Sequence, residues 1–128
     1  MEEFFTRSAA NEGVKLPLYQ PDGTRTDHYL TVRGVDSDKF RAAESKAKRK
    51  AITIAQLDTE AERVEEIQKT ERDCIAALVI DWSFDKPCTH NNIMTFLKEA
   101  PQIADAINRF AAQRSGFMVK KPTSSSGG

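Results

Sequence analysis

The stretch DWSFDKPCTH, residues 81–90, concentrates side chains that could carry out chemistry. Asp81 and Asp85 could act as an acid and a base, because a positioned pair of carboxylates can give and take a proton. Cys88 and His90, two residues apart, could form part of a metal site or a nucleophile with its base. Any of these activities depends on the elements that hold the side chains in place.

The rest of the chain offers these side chains few partners. A structural zinc ion needs four ligands, and the other candidates, Cys74 and His28, belong to different predicted elements with no paired spacing. The sequence has no Gly-rich phosphate loop and no GxSxG motif. Pro87 and Thr89 instead indicate a helix end followed by a new N-cap. The sequence therefore predicts no catalytic residue, no metal site and no cofactor, and a protein that is not an enzyme.

Composition and charge narrow the class of protein further. The 128 residues fit one domain, and 39% hydrophobic with 30% charged residues is polar without indicating disorder throughout. The 19 basic and 19 acidic side chains cancel, so net charge favours neither nucleic acid nor a membrane as partner. The longest apolar run, residues 75–80, is far shorter than the roughly 20 residues that span a bilayer. The acidic start, MEEFF, is unlike a secretory signal, so we expect a cytosolic protein whose two Cys are free thiols.

The first 34 residues predict a flexible segment followed by a β-hairpin. Residues 1–13 show no clear period and are predicted to be flexible. Residues 14–34 alternate apolar and polar side chains on both sides of a Pro-Asp-Gly turn, which is typical of a hairpin. Because Pro17 cannot donate a ladder hydrogen bond, the first strand is predicted to lie at a sheet edge.

Residues 36–82 predict helix, since they contain no Gly or Pro and carry an apolar stripe among charged side chains. Asp36 is the predicted N-cap. Thr59 and Glu62 have capping-box spacing. The helix therefore either continues unbroken or breaks near Asp58 and folds back as a helical hairpin, and the sequence leaves both arrangements open.

Charge is segregated along this helical region. Residues 39–50 form a basic block with one acid, and residues 58–73 form an acidic block with seven acids and three bases. If the helix folds back, the two blocks should face and attract each other. If it does not, they could pair between copies of the chain. An ordinary solvated surface would also explain the pattern.

Two shorter helices are predicted over residues 90–100 and 101–116, with Thr89 as the N-cap of the first and Pro101 in the first turn of the second. The Ser/Gly-rich residues 119–128 predict a flexible tail. Residues 14–118 are expected to form a single domain. The predicted fold is mainly α with a small N-terminal β-hairpin (α+β), in which a long charged helix or helical hairpin precedes two short C-terminal helices.

Large aromatic rings in the C-terminal half are the candidates for partner binding. Most of them would equally well build the core between the helices. Trp82 and Phe84 are the better contact candidates, because they fall where the helix must end before Pro87 and charged residues flank them. The full candidate set is Trp82, Phe84, Phe96, Phe110 and Phe117.

Two segments carry a resemblance to a known family. The first is LPLYQPDGTRTDHYLTVRGVDSDKFRAA, residues 16–43, and the second runs from WSFDKPCT to APQIADAI, residues 82–107. Their order and spacing resemble the tail assembly chaperones of long-tailed, non-contractile bacteriophages. The resemblance covers most of residues 14–118, which would then be a chaperone-like domain.

This resemblance implies a non-enzymatic protein that binds the tape measure protein, keeps it soluble and helps to recruit tail tube subunits. Such a protein acts in the host cytoplasm during assembly and is absent from the mature virion. The family often has a second, frameshifted form, and codons for Lys120 and Lys121 are where a slippery stretch would lie. The edge of the hairpin suggests self-association as well.

Two other functions remain open from the sequence. A structural virion protein, such as a tail completion or neck subunit, would stay in purified particles. A DNA-binding regulatory protein would use the basic residues 46–50 and bind duplex DNA in a salt-sensitive way.

Overall fold

The computed structural model of the chain describes residues 1–118, so the predicted flexible tail and the Lys120–Lys121 pair lie outside the described residues. The strands are β1 (Val14–Tyr19), β2 (Arg25–Val32) and β3 (Val79–Trp82). The α-helices are α1 (Arg7–Glu12), α2 (Asp38–Ala55), α3 (Glu60–Ala76), α4 (His90–Glu99) and α5 (Pro101–Ala112). Two 3-10 helices span Glu2–Phe4 and Arg114–Phe117.

The three strands form one antiparallel sheet in the order β1-β2-β3. A tight turn joins β1 to β2. Gly23 adopts a positive φ of 91° there, and the Asp22 carboxylate accepts a hydrogen bond from the Thr24 N–H at 2.9 Å. These are the roles that Gly and Asp play in such turns. Strand β1, which contains Pro17, lies at an edge of the sheet as predicted.

The fold-class prediction of a mainly α protein with a two-stranded hairpin is wrong, because residues 79–82 form the third strand of a sheet. The sequence predicts a helix to residue 82, since no Gly or Pro interrupts it. The helix ends at Ala76, and the β-branched Val79 and Ile80 suit an extended conformation. Pairing with residues 30–32 of β2 completes the strand. The molecule is therefore a mixed α+β protein.

Helices α2 and α3 form a helical hairpin, which is one of the two arrangements that the sequence leaves open. Helix α2 ends at Ala55, and α3 begins at Glu60. The Thr59 side chain caps α3 by accepting a hydrogen bond from the Glu62 N–H at 3.1 Å. Thr59 itself is extended, so it interrupts the helix between α2 and α3 and begins a new one. The chain can therefore fold back on itself.

The N-caps of α2 and α4 differ in how well the sequence predicts them. Thr89 caps α4 as predicted, since its hydroxyl accepts from the Asn92 N–H at 3.2 Å. The prediction of Asp36 as the cap of α2 is wrong by one residue. Ser37 is the cap, and its hydroxyl accepts from the Phe40 N–H at 3.3 Å.

The Asp36 carboxylate instead joins three parts of the chain. It accepts hydrogen bonds from the Thr6 hydroxyl at 2.7 Å, from the Arg41 guanidinium at 2.9 Å, and from the Arg114 guanidinium at 2.8 and 3.1 Å. The Arg114 and Thr6 donors hold the pKa of the Asp36 carboxyl well below its usual range. We call these four residues the Asp36 cluster. It fastens the N-terminal segment and the C-terminal 3-10 helix to the start of α2.

Residues 1–13, predicted to be a flexible segment, contain helix α1 in the structure. Ala10 on α1 is fully buried, and its carbonyl accepts a hydrogen bond from the Gly34 N–H at 3.1 Å. A Cβ on Gly34 would lie 2.9 Å from both the Ala10 Cβ and the Phe117 ring. The absence of a side chain at residue 34 therefore allows α1 and the C-terminal 3-10 helix to close over this loop.

The core lies between the sheet and helices α3, α4 and α5. Its largest fully buried apolar side chains are Phe117, Leu30, Leu78, Leu97, Ile107 and Val32. Every strand contributes to the core, with Leu18 from β1, Leu30 and Val32 from β2, and Val79 and Trp82 from β3. The sheet and the C-terminal helices therefore stabilise one another.

Small side chains of α2 and α3 border cavities at the surface of the helical hairpin. Ala47 on α2 and Thr70 and Cys74 on α3 line two surface cavities, one bordered by β3 and α4 and the other by α5. The Thr70 hydroxyl is buried and has no hydrogen-bond partner among the described residues. A buried hydroxyl without a partner lowers stability.

Replacing Thr70 by Val is expected to raise the free energy of unfolding by about 1 kcal/mol, because it removes the unpaired hydroxyl and keeps the branched shape. Urea unfolding followed by circular dichroism measures the change. Thr95→Val is the matched control, since the Thr95 hydroxyl donates to the Asn91 carbonyl at 3.1 Å and no gain is expected there. A Thr70→Val protein that is less stable than the wild type would contradict the prediction.

Candidate partner-binding groove

Three of the five candidate rings form one cluster at the end of the sheet. Trp82 ends β3, Phe84 follows in the next turn, and Phe96 lies on α4. The ring centroids of Trp82 and Phe84 are 5.3 Å apart, those of Trp82 and Phe96 are 5.9 Å apart, and those of Phe84 and Phe96 are 5.1 Å apart. All three pairs meet edge to face, which is a favourable geometry for aromatic rings.

Hydrogen bonds fix the turn that carries Phe84. The Trp82 indole N–H donates to the Lys86 carbonyl at 2.6 Å, which closes the turn. The Ser83 hydroxyl oxygen accepts from the Tyr29 N–H at 2.9 Å and lies 3.0 Å from the His28 Nδ1 atom. Phe84 is therefore held in a defined position beside β2, where its ring centroid lies 4.7 Å from that of His28.

The cluster borders a surface groove of about 440 Å³. Trp82 is only 8% exposed and supplies the base, while Phe84 and Phe96 are half-buried and line the opening. We call the site formed by these three rings the aromatic groove. Its polar rim consists of Asp85, Lys86, Asn92, Thr95 and Glu99.

An apolar floor inside a polar rim is the usual anatomy of a protein-binding site. The aromatic groove could bury one large apolar side chain of a partner, while the rim makes hydrogen bonds to the partner's backbone or polar residues.

The other two candidate rings lie elsewhere. Phe110 on α5 and Phe117 in the C-terminal 3-10 helix form their own edge-to-face pair, with ring centroids 5.8 Å apart. Phe117 is 1% exposed, and Phe110 is half-buried. The structure thus divides the candidate set into a surface groove and an interior pair, and partner binding stays a prediction for both.

The residues that could carry out chemistry do not form a reactive site in the structure. Cys74, Cys88 and His90 border one cavity, but the His90 Nε2 atom lies 3.1 Å from an oxygen of Asp73 and makes no hydrogen bond to a thiol within residues 1–118. Burial raises the pKa of the Cys74 and Cys88 thiols, with smaller contributions from nearby carboxylates, so the unreactive protonated form is favoured. Asp81 accepts a hydrogen bond from the N–H of the next residue at 2.9 Å.

Residues 1–118 contain neither a cluster of metal-binding side chains nor a helix that could span a membrane. No group of three His, Cys, Asp or Glu side chains in this range lies close enough to share a metal ion. None of the helices in the same range combines the length and the apolar character needed to cross a bilayer.

Sequence reasoning missed a second apolar surface, on the outer part of the helical hairpin. Ile52 on α2 is 69% exposed, and Val64 and Ile67 on α3 are 46% and 45% exposed. The sequence places Val64 and Ile67 in an apolar stripe, which predicts burial for both. The stripe is buried only where α3 meets the core, near Ile75 and Ala76. The helical hairpin that the sequence leaves open is the signal that could have identified these exposed positions, because the outer end of such a hairpin extends beyond the core.

Comparison with known protein families relates most of the chain to a described family. The model of a family described as phage tail assembly chaperone matches residues 9–114, which is most of the chain and includes β1 to α5. No curated protein and no solved structure matches the chain. The resemblance drawn from residues 16–43 and 82–107 is thus confirmed, and the chain belongs to the phage tail assembly chaperone family.

Proposed function

We propose that the protein is a non-enzymatic chaperone that binds the tape measure protein, keeps it soluble and helps to recruit tail tube subunits. Membership of the family supports the general role in tail assembly. The aromatic groove is the observation that carries the finer proposal, because it presents half-buried rings at a surface whose geometry is fixed by hydrogen bonds.

The groove suits a long helical client. Such a client exposes apolar side chains at regular intervals before the tail is built. Any one of these side chains could pack against Phe84 and Phe96 of one chaperone molecule. A single such contact is weak, since it buries little area and leaves most of the interface polar. Weak contacts that repeat along a client can together keep it soluble and still release it during assembly.

The proposed place of action follows from this reversible binding. The chaperone acts in the host cytoplasm while the tail is built, and it is absent from the mature virion. Purified particles test this directly by mass spectrometry. A stoichiometric amount of the protein in washed particles would instead favour a structural virion protein.

Replacing Phe84 or Phe96 by Ala is expected to weaken client binding about tenfold, because each substitution removes an aromatic contact from the groove. Co-expression with the tape measure protein measures the result as the soluble fraction of the client. Pull-down of the purified pair gives the change in affinity.

Phe110→Ala is the matched control, since Phe110 is also a half-buried ring but lies outside the aromatic groove. Circular dichroism must show that all three variants remain folded at the assay temperature. An equal loss of client solubility in Phe110→Ala would contradict the role of the groove. If the wild-type chain does not improve client solubility at all, the proposed function itself fails.

A further inference from the structure

The rim of the aromatic groove carries an unbalanced negative charge. Its charged side chains are Asp85, Lys86 and Glu99, and all three are exposed. Asp85 and Lys86 are neighbours in the turn after β3, so their opposite charges largely offset each other. Glu99 has no such neighbour on the rim and forms no ion pair within residues 1–118. One carboxylate therefore sets the net charge of the groove.

Glu99 lies at one end of the groove. It is the last residue of α4 and comes three positions after Phe96, so the two side chains are neighbours on one face of the helix. At the other end, the Asn92 side-chain amide donates to the Pro87 carbonyl at 2.9 Å and holds the turn that contains Lys86 against the start of α4. Asn92 and Glu99 are about 10 Å apart along the helix axis. The groove thus has a nearly neutral end and a negative end.

The stability of α4 does not account for a carboxylate at this position. The C-terminal end of a helix carries partial negative charge, so Glu99 lowers the stability of its own helix slightly. Lys98 precedes it in sequence, but successive residues are turned by about 100° around a helix, and Lys98 does not line the groove. The Glu99 carboxylate is therefore available to a partner that enters the groove.

Unpaired charge by itself is common on this molecule. Although α2 and α3 are in contact, no ion pair within residues 1–118 joins the basic block, residues 39–50, to the acidic block, residues 58–73. The expected attraction between the blocks across the folded hairpin is therefore not met by direct contacts. Glu99 differs from these charges because it borders half-buried rings. A partner that packs an apolar side chain on those rings must also meet the carboxylate.

We propose that the aromatic groove selects helical segments that carry a basic side chain one turn away from an apolar anchor, and that Glu99 makes this selection. The inference rests on the proposed function, because it concerns the client of the same groove. The anchor packs on Phe84 and Phe96, and the base meets Glu99. Side chains three or four positions apart on a client helix are neighbours, which matches the spacing of Phe96 and Glu99 on α4.

Arg is the base that suits this place best. A guanidinium can form two parallel hydrogen bonds with one carboxylate, and it also packs flat on an aromatic ring. An exposed ion pair adds little affinity, so the contact serves mainly to discriminate between client segments. A segment with an acid in place of the base would put two like charges together. Charge therefore separates apolar segments that the rings alone would bind equally well.

The one Trp of the chain gives a direct measurement of binding in the groove. Trp82 forms the base of the groove, and its indole N–H donates to the Lys86 carbonyl, so its N–H signal in a proton–nitrogen NMR spectrum responds to a bound side chain. The probes are three synthetic helical peptides that share one Leu anchor on an Ala/Gln-rich host and carry Arg, Gln or Glu four residues after it. Titration of the isotopically labelled full chain with each peptide gives its Kd.

The Arg peptide is expected to bind about threefold more tightly than the Gln peptide and about tenfold more tightly than the Glu peptide, as is typical of exposed charge pairs. The preference should shrink as salt increases, because exposed charges are screened. Glu99→Gln should remove the preference, and Glu99→Lys should reverse it in favour of the Glu peptide. The Glu99→Lys protein is expected to stay folded, since a base suits the C-terminal end of a helix.

Glu12→Lys is the matched control, because Glu12 is also the exposed last residue of a helix, α1, but lies outside the aromatic groove. It should keep the wild-type order of affinities. The inference would be overturned if the wild type bound all three peptides equally or preferred the Glu peptide. The same holds if Glu12→Lys changed the preference as much as Glu99→Lys does, or if no peptide moved the Trp82 signal at millimolar concentration.

A separate measurement decides the proposed function. Co-expression of the wild type with the tape measure protein shows whether the client becomes more soluble. If it does while the peptides reveal no charge preference, only the role of Glu99 fails. If it does not, the proposed function fails, whatever the peptides show.

Discussion

Replacing Phe117 by Ala is expected to lower the free energy of unfolding by about 3–5 kcal/mol. The ring is 1% exposed and packs edge to face on Phe110. It also lies directly against the backbone of Gly34, where even a Cβ would approach the ring to 2.9 Å. Removing the ring leaves a cavity between α5, α1 and this loop. Because domains of this size are stable by only about 5–15 kcal/mol, the loss would leave a marginal protein.

Urea denaturation followed by circular dichroism measures this effect. Phe4→Ala is the matched control, since Phe4 is 79% exposed in the N-terminal 3-10 helix and should change stability little. A loss below about 1 kcal/mol for Phe117→Ala would contradict an interior role for the ring. The C-terminal 3-10 helix would then be loosely attached, and Phe117 would return to the set of contact candidates.

The sequence predicted best those features whose cause lies within a few residues. Thr59 and Thr89 cap helices because a hydroxyl can reach the N–H three residues later. Gly23 allows the hairpin turn because it can adopt a positive φ. In each case the neighbours in sequence are also the neighbours in space, so the pattern alone is sufficient.

Strand β3 shows where this approach fails. Residues 76–82 read AALVIDW, a run that can continue a helix or form a buried strand equally well. The choice is made by pairing with β2, which lies about fifty residues earlier in the chain. Local signals contain no information about that pairing.

Aromatic residue type does not by itself distinguish a core ring from a contact ring. Phe84 and Phe117 look alike in sequence. Each comes just after the end of a predicted helix, at residue 82 or 116, and has charged or small residues as neighbours. In the structure Phe84 lines a surface groove and Phe117 is enclosed. The difference arises because α1 and the loop at Gly34 close over Phe117, and both come from the distant N-terminal part of the chain.

Asp36→Asn is expected to destabilise the protein by about 2 kcal/mol at neutral pH, because it removes the charge that three donors share. The loss stays at the low end of the range for charged hydrogen bonds, since Arg41 and Arg114 are both more than half exposed and regain water. The donors come from three separate parts of the chain. The variant should therefore loosen the N-terminal segment and the C-terminal 3-10 helix together.

The effect of Asp36→Asn depends on pH in a defined direction. The Arg114 and Thr6 donors lower the pKa of the folded-state carboxyl below its unfolded value of about 3.9. A lowered carboxyl pKa contributes stability that is fully present above about pH 4 and is lost as pH falls through the folded-state pKa. The difference in unfolding free energy between wild type and Asp36→Asn should therefore be constant near neutrality and shrink below about pH 4.

Urea unfolding at a series of pH values measures this difference. Asp38→Asn is the matched control, because Asp38 pairs with Arg7 on an exposed surface two residues away and should matter much less. An Asp36→Asn protein as stable as Asp38→Asn at neutral pH would contradict the role of the Asp36 cluster. So would a difference that does not diminish in acid, since the lost stability would then not come from the carboxylate charge.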